Sequence, residues 1–247
     1  MPMFERITKE NHAFVMWSAE HVLALLFFAL LGYLLIRRAA RTTAPAYKNR
    51  LFKGMGWVIS GTVIGWSLLE MGLGNFNVSQ DLPLPLCNFL ALLLPLFTLT
   101  RSLFLFELFY FWVLSGTLQA IITPDLQDSF PHYHFLKYWI VHLGLVIVVL
   151  YAAVVYKMRP TLKSVLKAFI WLQPYVLFCM GVNYALGANY LYLNAKPPVS
   201  SLLDFMGPWP VYILVAQLIA MPLFLLAYLP FVLCKGKLPA TTHTRKR

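Results

Sequence analysis

Apolar residues run almost unbroken through most of this chain, and polar residues collect in a few short intervals. A helix needs about 20 mostly apolar residues to cross a hydrocarbon core. Seven stretches fit that template: 14–36, 55–74, 84–100, 103–121, 135–156, 165–186 and 211–233. Only Arg101 and Ser102 separate the third from the fourth, which predicts a tight helical hairpin. There is no internal repeat and no stretch left over for a soluble domain. The expected architecture is an all-α membrane protein, a seven-transmembrane-helix bundle forming one polytopic domain over 1–247.

Composition agrees with the pattern. Of 247 residues, 60% are hydrophobic, and the mean hydropathy of +0.70 excludes an ordinary soluble domain. The net charge of +11 raises a nucleic-acid reading, but the placement of the cations removes it. Sixteen of the 20 Lys and Arg residues fall in the connections after spans 1, 3 and 5 and in the tail. Only Arg6, Lys9, Lys137 and Lys196 fall on the other side. Positive residues stay cytoplasmic, so the N-terminus is expected outside and the C-terminus inside, with the basic loops against anionic headgroups. The expected location is a cell membrane with the basic loops on its cytoplasmic side, with membrane lipids rather than nucleic acid as partners.

The first apolar run is too long, and its arginines follow rather than precede it, for a cleavable signal peptide. Cys87, Cys179 and Cys234 sit in or beside different spans and form no disulfide or metal framework. Cys234, beside the cytoplasmic end of the last span, is a candidate for palmitoylation. No metal set and no cofactor is expected; His132 and His134 in the loop PDLQDSFPHYHF are too weak a pattern to assign one.

Ionisable and amide side chains are expensive inside a bilayer and usually face a cavity or a partner. At 1.5 Å per residue, Glu20, His21, His142 and Gln217 lie roughly two turns in from the outer surface. Glu70, Cys87, Asn88, Gln119 and Asn183 lie nearer the outer ends of their spans. Every span thus brings a polar group to the same outer half, which predicts one wet pocket open to the outer leaflet. Helix–helix hydrogen bonding accounts for such groups equally well when each is taken alone. Glu107 and Gln173 lie deeper, and the spacing of Glu107 from Arg101 leaves their pairing open. Gly61 and Gly65 in GTVIG read as a close helix contact.

One cysteine has a specific chemical argument. In LPLPLCNFL (82–90), Pro85 suits a helix start, placing Cys87 in a first turn where free N–H groups and the helix dipole favour an anion. A cysteine in such a place beside a histidine becomes a thiolate nucleophile. His142, at comparable depth, is the candidate base, with Glu70 or Glu20 to orient its imidazole. Asn88 or the free N–H groups of the helix end would stabilise an oxyanion. Against this stands the ordinary role of a membrane cysteine as a small packing residue, which also describes Cys179.

The longest outer segment, 187–210, is the least loop-like in composition. Ser201 and Asp204 have capping-box spacing, so Leu202, Phe205 and Trp209 would form a short apolar surface at headgroup level. An interfacial lid over the pocket and a plain surface helix are both open readings.

LPLPLCNFL, LFELFYFW (105–112), GTLQAIITPDL (116–126), the His142 span, NYALGANYLYLNAKP (183–197) and LLDFMGPWPVYIL (202–214) together resemble the YwaF family of bacterial integral membrane proteins. The resemblance runs from about residue 14 to 233. That family is similar to the animal transmembrane protein 164 family, described as transferring fatty acyl chains to ether-linked lysophospholipids. The resemblance implies a catalytic cysteine and histidine at Cys87 and His142, with phospholipid and lysophospholipid as substrates. The expected function is therefore a membrane phospholipid acyltransferase working through a thioester. Its alternatives are a lipid hydrolase with the same pair, or a transporter using Glu20, His21, Glu70 and His142 as a relay.

Overall fold

The computed structural model describes residues 13–197 and 201–233. Among the described residues seven main helices follow one another: α1 (Ala19–Arg41), α2 (Pro45–Leu73), α3 (Leu86–Thr100), α4 (Leu103–Ile122), α5 (Tyr133–Val155), α6 (Leu162–Leu186) and α7 (Val211–Leu233). Among the described residues there is no strand beyond an isolated bridge between Ala13 and Asp128. Five helices, α1 and α4 to α7, are long and apolar enough to cross a membrane. This is a multi-pass membrane protein. Helix α3, at 15 residues, is shorter, and the palmitoylation candidate Cys234 lies outside the described residues.

Helix ends follow local chemistry more closely than the apolar pattern does. Helix α2 starts ten residues before its apolar run, because Pro45 occupies a first-turn position where its fixed φ is already helical. It stops at Gly74, whose φ of +73° lets its N–H return to Glu70 and Met71 carbonyls. Helix α1 starts later than its apolar run and continues through Arg41. Ala and Arg are good helix formers, so the basic stretch after the apolar run stays helical. The hairpin between α3 and α4 turns on Arg101, in the left-handed region at φ +51°, with Ser102 capping α4.

Helices α4 and α5 form the interior, while α1, α6 and α7 expose most of their apolar surface to lipid. A core of Phe52, Phe97, Phe106, Phe109, Phe111, Leu145 and Tyr151 joins α2, α3, α4 and α5. Phe52 stacks on Tyr151, and Phe97 on Phe109, with ring centroids 5.3 and 5.1 Å apart. Helices α2 and α3 pack tightly at Gly56, where an added Cβ would lie 2.4 Å from Thr98 Oγ1. The expected GTVIG contact is only half present: Gly65 meets the Tyr133 hydroxyl, but Gly61 faces open space. Gly56→Val should therefore destabilise the bundle by about 1–3 kcal/mol through overpacking. Gly61→Val should cost far less. Unfolding midpoints of the two variants in the same detergent make the comparison.

The buried carboxylate of Glu107 does not pair with Arg101. Ser164 Oγ donates to its Oε1 at 2.6 Å, and the Lys167 ammonium bonds its Oε2. Ser164 also accepts the Thr161 N–H at 2.9 Å, so the start of α6 is tied to α4. Arg101 precedes α4 and turns toward α2 and α5, its guanidinium over the Tyr156 ring and 3.4 Å from Asn49 Oδ1.

Candidate functional site

Helix α3 begins at Leu86 with Pro85 in the capping position, so Cys87 is its second residue. The N–H groups of its first turn have no acceptor within the helix and form the positive end of its dipole. The segment leading into this turn is held from outside it. Tyr190 Oη accepts the Leu82 N–H at 3.0 Å and donates to the Val78 carbonyl at 2.8 Å. Tyr175 of α6 donates to the Leu84 carbonyl, and its ring stacks on Phe89 at 4.4 Å. Asn183 completes this frame, bonding both the N–H and the carbonyl of Tyr190 at 2.8 and 2.9 Å.

Half-buried Cys87 places its Sγ 3.4 Å from Thr117 Oγ1. Thr117 is buried and closes a π-helical stretch, Val113–Thr117, inside α4. Such single turns of wider helix recur at functional sites, and the Ser115–Gly116 pair is a poor helix former that lets the turn open.

On α5, His142 Nδ1 lies 2.7 Å from the Tyr138 carbonyl, one turn back on the same helix. A carbonyl only accepts, so Nδ1 carries the proton and Nε2 keeps its lone pair. Among the described residues Nε2 has no hydrogen-bond partner. The imidazole also stacks on the Tyr138 ring, 4.0 Å between centroids, and Tyr138 donates to the Ala120 carbonyl of α4 at 2.7 Å. Cys87 and His142 are thus secured against the same few residues of α4, from opposite partners. The thiol bonds Thr117 and not His142.

The other polar residues read from the sequence do not form one lining. His21 is fully buried between Trp17 and Trp139. Its Nδ1 accepts the Trp17 N–H at 3.1 Å and its Nε2 donates to the Ile121 carbonyl at 3.0 Å, which satisfies both nitrogens. Gln217 Oε1 accepts from Gln173 at 3.0 Å, joining α6 to α7. Glu20 lies in the first turn of α1. Glu70 lies in the last turn of α2, near Lys137, whose ammonium sits over the Trp66 ring. Neither glutamate bonds His142; the Tyr138 carbonyl orients the ring instead. Asn88 is half-buried, and its side chain makes no hydrogen bond among the described residues.

A cavity of about 250 Å³ lies beside the first turn of α3, at Leu86. Leu86, Ser115, Gly116 and Gln119 form its inner wall, α7 closes one side through Ile219 and Leu223, and Leu202, Leu203 and Met206 cover it. Leu86 and Gly116 adjoin Cys87 and Thr117 in sequence, but neither Cys87 nor Thr117 lines the cavity itself. Ser115 Oγ is buried without a hydrogen-bond partner among the described residues. The cover is the short 3₁₀ helix Leu202–Met206, begun where Asp204 Oδ2 accepts the Ser201 N–H at 2.8 Å. Leu202 lines the cavity, whereas Phe205 is 89% exposed and points away. Trp209 donates to the Leu193 carbonyl at 3.0 Å and pins the segment where it enters α7.

In the connection between α4 and α5, Asp128 accepts from His134 Nδ1 at 3.1 Å. That bond, aided by the charges of His132 and His134, holds its carboxyl below its ordinary value against the opposing effect of burial. Among the described residues no group of three or more His, Cys, Asp and Glu is placed to hold a metal ion.

Thr117, Tyr138 and Ser115 escaped the sequence reading. Thr117 stands inside GTLQAIITPDL, and Tyr138 is one helical turn before His142, so spacing alone offered a signal only for Tyr138. Removing the Thr117 hydroxyl should weaken any thiol chemistry while leaving the nucleophile. Thr117→Val should lower the rate of any reaction at the Cys87 thiol roughly fivefold, the worth of one net hydrogen bond, with Thr117→Ser near wild type.

A family model described as the TMEM164 family matches residues 16–228. An uncharacterized protein of Treponema pallidum (strain Nichols) is 28% identical over 229 residues, covering 88% of this chain and 90% of that relative. No solved structure matches the chain.

Proposed function

The chain belongs to the TMEM164 family, and from that premise we propose that it is a phospholipid acyltransferase of the bacterial cytoplasmic membrane, using Cys87 as nucleophile and His142 as base. In this reading all seven helices are spans, the N-terminus is outside and the C-terminus is cytoplasmic. The observation that carries the chemistry is the His142 tautomer. Nδ1–H is committed to the Tyr138 carbonyl, which leaves Nε2 as a proton acceptor, and Cys87 opens a helix on the other side of the α4 segment to which Tyr138 bonds.

His142 Nε2 takes the Cys87 thiol proton, and the thiolate attacks an ester carbonyl of a phospholipid. The C–S bond forms and the ester C–O bond breaks. The leaving lysolipid oxygen recovers the proton from His142. A second lysophospholipid hydroxyl then gives its proton to Nε2 and attacks the thioester; the new C–O bond forms, the C–S bond breaks, and the proton returns to sulfur. The Asn88 amide and the free N–H groups opening α3 stabilise the oxyanion in both halves. Bonds between nucleophile and base are often long before substrate binds, which fits a thiol that rests on Thr117. The cavity under Leu202–Met206 holds part of an acyl chain and keeps water from the thioester.

A transport relay is less well supported. His21 is satisfied on both nitrogens, and no hydrogen bond links it to Glu20, Glu70 or His142 among the described residues. Purified protein in nanodiscs, given a labelled phospholipid with and without lysophospholipid, tests the assignment. Label moving to the lysolipid supports the transferase. Release of free fatty acid at the same rate in both reactions would identify a hydrolase, and no turnover in either would remove the enzyme reading.

A further inference from the structure

A second cavity, of about 620 Å³, lies between α1, α2 and α5, away from Cys87 and toward the basic end of the bundle. Its walls are apolar, formed by residues such as Phe27, Leu35, Val58 and Ile140, and among the described residues Arg50 is the one charged residue lining it. The cavity opens sideways, where Phe27 and Val58 are exposed. From Arg50 to Ile59 its α2 wall rises about 14 Å, close to half the thickness of a hydrocarbon core. It therefore has the depth of one leaflet, with a cation at the level of the headgroups.

Among the described residues nothing neutralises that cation. Arg50 is exposed and makes no hydrogen bond or ion pair among the described residues. Residues 21–69 contain Arg37, Arg38, Arg41, Lys48, Arg50 and Lys53 but no Asp or Glu. Glu107, the described carboxylate nearest this end, is already held by Lys167 and Ser164. A second copy of the chain in the same orientation would meet Arg50 with more cations.

We infer that this groove binds one anionic phospholipid from the leaflet facing the basic ends, its acyl chain between α1, α2 and α5 and its phosphate on Arg50. Tyr47 lines the same rim, and Arg38 lies over its ring at 5.6 Å, which adds a second positive charge beside the headgroup. This site is separate from the cavity under Leu202–Met206 and does not rest on the proposed acyl transfer.

Gly54 offers a direct test. It lines the groove, and an added Cβ meets nothing within 4 Å, so a phenylalanine there fills the groove without displacing backbone. Native mass spectrometry of detergent-purified protein titrated with phosphatidylglycerol or phosphatidylcholine reads the outcome. Wild type should retain one phosphatidylglycerol and little phosphatidylcholine. Arg50→Gln should weaken retention roughly fivefold, the worth of one basic residue at a membrane surface. Gly54→Phe should lose the bound lipid, and Lys53→Gln, outside the groove, should change it little. Gly54→Leu repeats the test if the larger variant elutes as aggregate. Equal retention of both lipids, no retained lipid in wild type, or undiminished retention in Arg50→Gln and the Gly54 variant would overturn the site. A wild-type dimer that Gly54→Phe splits, without a lipid adduct, would make the groove an interface between copies.

Discussion

Cys87→Ala should abolish acyl transfer, by at least about 10⁴-fold if the thiol is the nucleophile, and leave the fold intact. Both halves of that expectation come from the same geometry. Cys87 is half-buried at the edge of the core, and its Sγ makes one long hydrogen bond, 3.4 Å to Thr117. Losing one small side chain at such a position should cost about 1 kcal/mol or less of stability. A residue kept only for packing would show the reverse pattern, with a lower unfolding midpoint and unchanged lipid turnover. Cys87→Ser sharpens the test. A serine hydroxyl can keep the bond to Thr117, but it ionises far less readily than a thiol, and His142 has a backbone carbonyl rather than a carboxylate on Nδ1 to strengthen it as a base. It should be nearly as inactive as alanine and nearly as stable as wild type.

His142→Gln should slow the reaction about 10²–10⁴-fold, the usual contribution of a general base. A glutamine cannot accept and return a proton at neutral pH, although its amide can still donate toward the Tyr138 carbonyl. The residual activity should rise with pH as hydroxide substitutes for the base. Because both residues serve one step, the double variant with Cys87→Ala should be no slower than Cys87→Ala alone. If His142 were instead part of a conduction path, proton or cation flux would fall and acyl transfer, were there any, would not.

The fold was largely written in the apolar pattern. The run 211–233 coincides with α7, and 103–121 ends one residue short of α4. The larger boundary shifts come from backbone chemistry that hydropathy does not report: Pro45 opens α2 early, and Trp17, at φ +63°, precedes the Ser18 cap and delays α1. The start of α3 was visible because proline at a helix entrance has a fixed backbone preference, and that placed Cys87 in a first turn. What depth could not show was rotation. His21 and His142 sit at similar heights on α1 and α5, yet one is sealed by two backbone partners and the other leaves Nε2 unused. The π-helical turn at Val113–Thr117 was also illegible, since one extra residue in a turn leaves no trace in apolar periodicity. That turn carries Thr117 to the thiol, and with it the detail most specific to the site.

Intact-protein mass spectrometry after incubation with defined phospholipids in nanodiscs, without lysophospholipid acceptor, tests the central claim most directly. The account predicts an acyl-mass adduct on wild-type protein that hydroxylamine removes, slower adduct formation in His142→Ala, and no adduct in Cys87→Ala. An adduct that persists in Cys87→Ala would place the nucleophile elsewhere. If neither wild type nor His142→Ala carries an adduct, and Cys87→Ala leaves lipid turnover unchanged, Cys87 is a packing residue and the acyl-enzyme account is wrong.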